Sequence, residues 1–204
     1  MSGRYIAFEG IDGAGKSTVA EAVAEELRSA GLTVETVREP GGTPVGESIR
    51  QILLHSHDHL EPWTEALLFA ASRAQLAAQN IAPLLESGTW VLSDRSVYSS
   101  LAYQGGGREL GVDTVRSVNA AGLAGVWPDL VVVLELDPTT GLARQQDPDR
   151  IGGEGVDLQE RVARAYREII DSDPVVAAVD GSRGVEEVVR ASVGLIRERF
   201  SESF

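Results

Sequence analysis

Gly10-Ile11-Asp12-Gly13-Ala14-Gly15-Lys16-Ser17 decides the reading of this chain. A Gly, four residues, then Gly, Lys and Ser or Thr is the pattern of a loop whose backbone amides turn inward onto phosphate oxygens. Its setting fits that use. Tyr5-Ile6-Ala7-Phe8 is a short apolar run, and from Ser17 onward Val19, Val23, Leu27 and Ala30 recur at helical spacing until Gly31. Strand, loop and helix in that order put the amides of Gly10 to Thr18 at a helix N-terminus, where partial positive charge favours an anion. The glycines permit the tight backbone path, Lys16 reaches the β and γ phosphates, and the Ser17 hydroxyl is placed for Mg²⁺. Of the 18 basic residues, 17 are arginine and the one lysine is Lys16, so a lysine-rich composition did not produce the match. The pattern predicts binding of a nucleoside triphosphate.

The alternation of strand and helix continues outward. Thr33 to Val37 is β-branched and runs into Arg38-Glu39-Pro40-Gly41-Gly42-Thr43-Pro44, a turn by its Pro and Gly content, after which Val45, Ile49, Ile52 and Leu53 resume helical spacing. Residues 62–86 are rich in Ala and Leu without an internal Gly and predict one long helix, with Pro83 as its one place for a kink. Trp90-Val91-Leu92 forms a third strand ending at Asp94, and residues 96–123 predict helical pieces interrupted by Gly105-Gly106-Gly107. Leu130 to Leu136 is a continuous apolar run, the mark of a strand buried on both faces, and Asp137-Pro138 terminates it. A polar, Gly-rich interval from Gln145 to Gly155 precedes a helix over 158–170, a strand over 175–179 and an amphipathic helix over 185–200. The expectation is an α/β fold of the phosphate-loop NTPase type, a five-stranded parallel sheet with helices on both faces. One domain spans 1–204, with a short lid segment at about 144–157.

Composition narrows the function. The chain has 204 residues, 43% apolar and 24% charged, ordinary usage for a folded domain. Its net charge of −13 argues against a broadly basic surface for a nucleic-acid polymer, and the absence of Cys removes disulfide, thiolate-zinc and cysteine-nucleophile chemistry. Residues 1–9 carry no leader-type apolar core, and no stretch reaches the roughly 18 apolar residues that span a bilayer, so a soluble, cytoplasmic protein without membrane contact is expected. His55, His57 and His59 alternate in a polar turn and read as solvent-exposed loop residues rather than metal ligands. A switch GTPase reads guanine through an Asn-Lys-x-Asp segment, for which no second lysine exists. A small-molecule kinase remains. Such an enzyme joins two phosphate-rich molecules and needs arginines converging from several loops; Arg38, Arg50, Arg73, Arg95, Arg144 and Arg150 lie on such segments.

At this point the chain resembles the thymidylate kinases, nucleoside monophosphate kinases that phosphorylate dTMP with ATP and Mg²⁺. The resemblance runs nearly end to end: Phe8 to Thr18 is similar to the family's opening, Arg38-Glu39-Pro40-Gly41-Gly42-Thr43 to its second signature, and Asp94-Arg95 through Ser100-Leu101-Ala102-Tyr103-Gln104-Gly105 to its third. It implies that Phe69 stacks on thymine, that Arg73 hydrogen-bonds the base and that Arg95 clamps the acceptor phosphate. Each role suits its side chain: an aromatic face for a flat base, a guanidinium for a carbonyl oxygen or a phosphate. Ser100 and Gln104 are implied as further base contacts, and Tyr103 as the residue that crowds a 2′-hydroxyl. Asp12, Glu39, Pro40, Arg50 and Ser99 complete the dTMP site. Lys16, Arg95, Asp12 and Arg150 are the implied catalytic set. For Asp12 and Asp94 two tasks stay open, holding Mg²⁺ through water and positioning the acceptor, with Ser17 and Asp94 as the metal-side pair.

Some members of the family carry an arginine inside the phosphate loop and others supply it from the lid. Gly13 stands at the loop position here, so the resemblance implies that Arg144 or Arg150 swings over the phosphates, with Arg144 against adenine. Only Gln145, Gln146, Asp147 and Pro148 separate Arg144 from Asp149-Arg150, a shorter lid than is usual, and Gly152 replaces a common acidic residue. Ala66, Ala70, Ala74 and Ala77 form a small-residue stripe on the 62–86 helix that suits either close packing across a homodimer, the family's usual state, or packing within the chain. Two other readings stay open: a phosphate-loop kinase of another nucleoside monophosphate or small acceptor, and a nucleotide-binding protein without transfer activity. The isomer of the Glu39-Pro40 bond also stays open.

Overall fold

Five short apolar runs become five parallel strands in the computed structural model, which describes residues 3–56, 58–145 and 148–204. They are β1 (Tyr5–Glu9), β2 (Val34–Arg38), β3 (Trp90–Asp94), β4 (Leu130–Glu135) and β5 (Val176–Asp180), in the order β2-β3-β1-β4-β5. β1 sits at the centre and is buried along its whole length, as a strand covered by helices on both faces must be. Register aligns Phe8 with Asp94, and Arg38 with the same Asp94, so the C-terminal ends of β1, β2 and β3 lie level. That shared edge of the sheet carries the site.

The helices follow from their punctuation. α1 (Lys16–Ser29) starts at Gly15, whose φ of 90° belongs to the left-handed region glycine adopts freely. α2 (Pro44–His55) is capped by Thr43, which accepts from the Gly46 amide at 3.0 Å, with Pro44 opening the first turn. α3 (Pro62–Leu76) passes through a π-helical turn, Ala77–Ile81, into α4 (Ala82–Glu86). The 62–86 segment is therefore helical throughout, and the wide turn lies just ahead of Pro83, whose ring nitrogen has no hydrogen to donate.

A second departure concerns Gly105-Gly106-Gly107. These glycines do not break a helix. They lie in a π-helical segment, Leu101–Gly107, that continues α5 (Val97–Ser100), and α6 (Val112–Leu123) follows. A Cβ on Gly106 would collide with that of Ala165, and one on Gly107 would come within 2.9 Å of Val162 Cγ2. The missing side chains let α8 (Val156–Ser172) pack directly against this segment. α7 (Pro138–Arg144), opened by Asp137 as cap, and α9 (Val185–Arg199) complete the set. α1 and α9 pack together, while α6 contacts both α3 and the π-helical segment.

The alanine stripe is used inside the chain. Ala66 and Ala77 are buried, and Gly122 of α6 packs so closely on Ala74 that a Cβ there would lie 2.8 Å from its Cβ. Among the described residues the exposed large apolar side chains of α2 and α3 are instead Val45, Ile52, Trp63 and Leu67. His55 and His59 are exposed, with His59 Nε2 3.5 Å from Glu61; His57 lies outside the described residues.

Candidate active site

Gly10, Gly13 and Gly15 have φ values of 139°, 81° and 90°, which bend the chain after β1 into a loop closed by the N-terminus of α1. Helical amides of a first turn have no intrahelical partner, so those of Lys16, Ser17 and Thr18 are available to an anion. Lys16 is nearly buried, and its Nζ donates to the carbonyls of Gly10 at 3.2 Å and Ile11 at 2.8 Å. Burial, and then the positive charge of Arg95, lower its pKa to about 8, against the pull of Asp12, Asp94 and Glu9. The Ser17 hydroxyl donates to the carboxylate of Asp94. Gly13 admits no side chain: a Cβ there would run into the Gly141 carbonyl of α7. An arginine is thereby excluded from that loop position, and Arg144, at the end of α7, reaches the loop instead, its Nη1 lying 3.4 Å from the Gly13 carbonyl and 3.5 Å from that of Gly181.

Beside the loop, the strand ends bring acids and arginines together. The Glu39 amide donates to the Asp94 carbonyl at 3.0 Å, and the Arg95 amide to that of Phe8 at 3.0 Å. Arg95 has φ 73°, a conformation an L side chain seldom adopts and one that aims it back over the sheet edge. Its guanidinium pairs with Asp12, reaches Ser99 Oγ at 3.2 Å and sits 5.2 Å above the Tyr103 ring. Burial opposes the charges of both partners. Even so, Arg95 and Lys16 hold the Asp12 carboxyl below its ordinary value, and Tyr103 and Asp12 raise Arg95 well above its own. Beneath this pair lies Glu9, fully buried, with one oxygen accepting from the Ser96 amide at 2.7 Å, the Ser96 hydroxyl at 2.8 Å and the Ser99 amide at 3.0 Å. Its other oxygen accepts from Ser99 Oγ at 2.6 Å and Tyr166 Oη at 2.7 Å. Five donors on one carboxylate fix the segment that carries Arg95.

These groups open onto a cavity of about 620 Å³. Its walls include the phosphate loop, Asp94, Arg95 and Arg144, and on the far side Pro40, Arg50, Phe69, Tyr103 and Gln104. Arg95, paired with Asp12 of the loop and lying over the Tyr103 ring, touches both sets of residues. A family model for thymidylate kinase matches residues 8–192. The chain belongs to the thymidylate kinase family. The thymidylate kinase of Enterococcus faecalis is 42% identical over 212 residues, covering all of both chains. That of Finegoldia magna is 41% identical over 199 residues, 96% of this chain and 98% of its own. That of Pelotomaculum thermopropionicum is 44% identical over 210 residues, all of this chain and 97% of its own. As a member of the thymidylate kinase family, the protein is a nucleoside monophosphate kinase.

Within this thymidylate kinase cleft, the sequence-derived residues divide into two groups. Asp12, Lys16, Ser17, Thr18, Glu39, Pro40, Arg50, Phe69, Asp94, Arg95, Ser99, Tyr103, Gln104 and Arg144 line the cavity. Gly13 and Gly15 join them, whereas Arg73, Ser100 and Arg150, and Gly10, Ile11 and Ala14 of the loop, are not on its walls. Arg73 is 2% exposed, and four of the five N–H groups of its guanidinium donate to Glu39 Oε2 at 2.6 Å, Ser100 Oγ at 3.1 Å, Asn119 Oδ1 and the Ser96 carbonyl at 3.1 Å. In this conformation it braces Glu39 from behind, and Ser100 Oγ accepts one of its hydrogens. Glu39 is itself pushed up to about 7 by burial, against the pull of Arg73, and its Oε1 has no partner among the described residues. Arg150 points away from the phosphate loop: its Nη2 pairs with Glu65 at 2.6 Å and its Nε donates to the Leu53 carbonyl at 2.8 Å. A charged residue so anchored lies off the phosphate loop in this conformation.

Three residues with no role in the sequence reading complete the site. Glu9 had one signal, an acid closing an apolar strand directly before the phosphate loop. Gln159, on α8 and 1% exposed, clasps Asp12 with both ends of its amide, donating to Oδ2 at 2.9 Å and accepting from the Asp12 amide at 3.3 Å. Glu65 gathers Gln104, Arg108 and Arg150.

Proposed function

We propose that this cleft transfers the γ-phosphoryl group of ATP to the phosphate of dTMP, giving dTDP and ADP. The observation that carries the reading is Arg95, held between the phosphate loop and the flat-ring end of the cavity by Asp12, Ser99 and Tyr103. In-line transfer demands little covalent chemistry from the protein and much positioning of charge. The loop amides and Lys16 take the donor phosphates, Arg95 and Arg50 take the acceptor phosphate, and Asp12 orients Arg95. Phe69 offers its ring to the base, Gln104 its amide, and the buried Tyr103 leaves no room beside the sugar. Arg144 is the arginine of the lid side that serves the donor, since it already touches the loop.

Mg²⁺ fits the donors present. The Ser17 hydroxyl and the Asp94 carboxylate are adjacent hard oxygens at the phosphate end, and Mg²⁺ characteristically takes one or two such ligands with substrate phosphates and water. When bound with ATP, it supplies charge neutralisation on the transferring group. We read residues 1–204 as one kinase domain, its lid at about 144–157, working in the cytoplasm beside its nucleotide substrates. No described helix is long and apolar enough to cross a membrane. A homodimer through α2 and α3 accounts for Val45, Ile52, Trp63 and Leu67 standing exposed on two helices that pack together. Leu67→Asp is expected to yield monomers by sedimentation.

ADP release with ATP-Mg²⁺ against dTMP, dUMP, UMP, CMP, AMP and GMP tests the assignment. The expected result is a saturable response led by dTMP. A stronger response to another acceptor rejects the substrate, and ADP release indifferent to every acceptor rejects the transfer.

A further inference from the structure

Glu65 lies on α3, 1% exposed, with four hydrogen bonds on its two oxygens. Oε1 accepts from Gln104 Nε2 at 2.8 Å and Arg108 Nε at 3.1 Å; Oε2 accepts from Arg108 Nη2 at 2.9 Å and Arg150 Nη2 at 2.6 Å. Burial alone would raise its pKa, but the bonds from Arg108, Arg150 and Gln104 hold it below the ordinary value. It is therefore an ionised carboxylate, which accepts hydrogen bonds and donates none.

An acceptor-only neighbour fixes the Gln104 amide. Its Nε2 must face Glu65, because the flipped amide would set a carbonyl oxygen against a carboxylate with two further arginines pinning that carboxylate in place. Gln104 is 2% exposed and lines the cavity, so Oε1 and the second Nε2 hydrogen are what remain for a ligand. A carboxamide held one way round is not neutral between pyrimidines. Thymine presents a ring N3–H beside the O4 acceptor, which match an acceptor beside a donor. Cytosine presents an N3 acceptor beside the N4 amino group, which match the same amide only after it has flipped.

We infer that Glu65 is a positioning residue for base specificity: by holding the Gln104 amide in one orientation it selects a pyrimidine monophosphate with a ring N3–H and rejects cytosine monophosphates. This rests on the reading of the cavity as the acceptor nucleotide site. The selection costs nothing in contact with the base by Glu65 itself, which stands one residue behind. Because Arg150 hangs on the same carboxylate, the orientation of the base reader and the anchorage of the lid share one group.

Rates with dTMP and dCMP at fixed ATP-Mg²⁺ test the inference in the wild type, Glu65→Gln and Glu65→Asp. The Glu65→Gln side chain offers a donor or an acceptor to Gln104 and so frees the flip; Glu65→Asp keeps the charge. The ratio of kcat/KM for dTMP over dCMP is expected to fall about tenfold or more in Glu65→Gln, chiefly through KM, and to be largely kept in Glu65→Asp. An unchanged ratio in Glu65→Gln, with both rates or the thermal midpoint merely lowered, marks a purely structural residue and overturns the inference. If Glu65→Gln does not fold, Gln104→Leu decides: lost discrimination supports the role of the amide, and full discrimination overturns it. A wild type that turns over no dTMP overturns the acceptor-site reading and this inference together, whereas wild-type turnover with an unchanged ratio overturns the inference alone.

Discussion

The two ends of the cleft are held by different kinds of bond. At the phosphate loop the groups offered to a ligand are backbone amides and the buried Lys16 ammonium held by loop carbonyls, in a loop set by glycines with positive φ and pressed by α7 so closely that Gly13 cannot bear a Cβ. At the lid the chain is hung from side chains: Arg150 on Glu65, Arg108 on Glu65 and Glu154. Backbone geometry of the first kind is fixed on folding and cannot be adjusted by a neighbour. Ion pairs of the second kind exchange partners at modest cost and weaken with salt where they are exposed, as at the half-exposed Glu154. On the proposed assignment, the difference teaches that the donor phosphates meet a rigid cradle, while the acceptor side and the lid share an adjustable one. Arg95 belongs to both, carried on a segment fixed by Glu9 and paired to the loop through Asp12.

The largest effect falls on the rigid side. Lys16→Ala is expected to lower kcat by about 10²–10³, the usual cost of removing one donor from developing charge; a loss under tenfold would break the division. Next, Arg95→Ala should reduce kcat/KM for dTMP by about a hundredfold while calorimetry finds ATP affinity almost unchanged. Equal loss of ATP affinity in both variants would remove Arg95 from the acceptor side. The two lid-side arginines sharpen the contrast: Arg144→Ala should cost about tenfold in kcat, and Arg150→Ala under about threefold at low salt, where its partner Glu65 keeps Arg108.

The smallest effect is on pH. With Lys16 lowered to about 8, the free enzyme loses its charged lysine above that value, so kcat/KM should decline on the alkaline side with a midpoint near pH 8. Stability moves the other way. Between about 8 and the ordinary 10.5 the unfolded chain binds more protons at this residue than the folded one, so its contribution rises with pH across that window. Lys16→Met should abolish that rise in denaturant titrations.

Much of this was legible in the residues. The strand, loop and helix around Lys16 are encoded within 30 consecutive positions, and local patterns of that kind survive folding unchanged. The alternation of apolar runs with helical periods likewise yielded five parallel strands, since a parallel sheet requires a crossover between each pair. What the residues alone did not show were partners distant in the chain. Periodicity places Arg73 on a helix face, but nothing local shows that Glu39 and Asn119, 34 and 46 residues away, accept from it. Gln159 meets Asp12 across 147 residues, and Glu65 meets Arg150 across 85. The glycines at 105–107 read as breakers because glycine usually is one; here their lack of side chains answers Ala165 and Val162 on another helix. Of the lid, Gln146 and Asp147 lie outside the described residues.

The most direct test follows the phosphoryl group itself. With ATP labelled on the γ phosphate, Mg²⁺ and dTMP, the label should pass to dTDP in step with ADP formation, and omission of dTMP should stop both. Label released as inorganic phosphate at a rate independent of dTMP would contradict the assignment of the cleft.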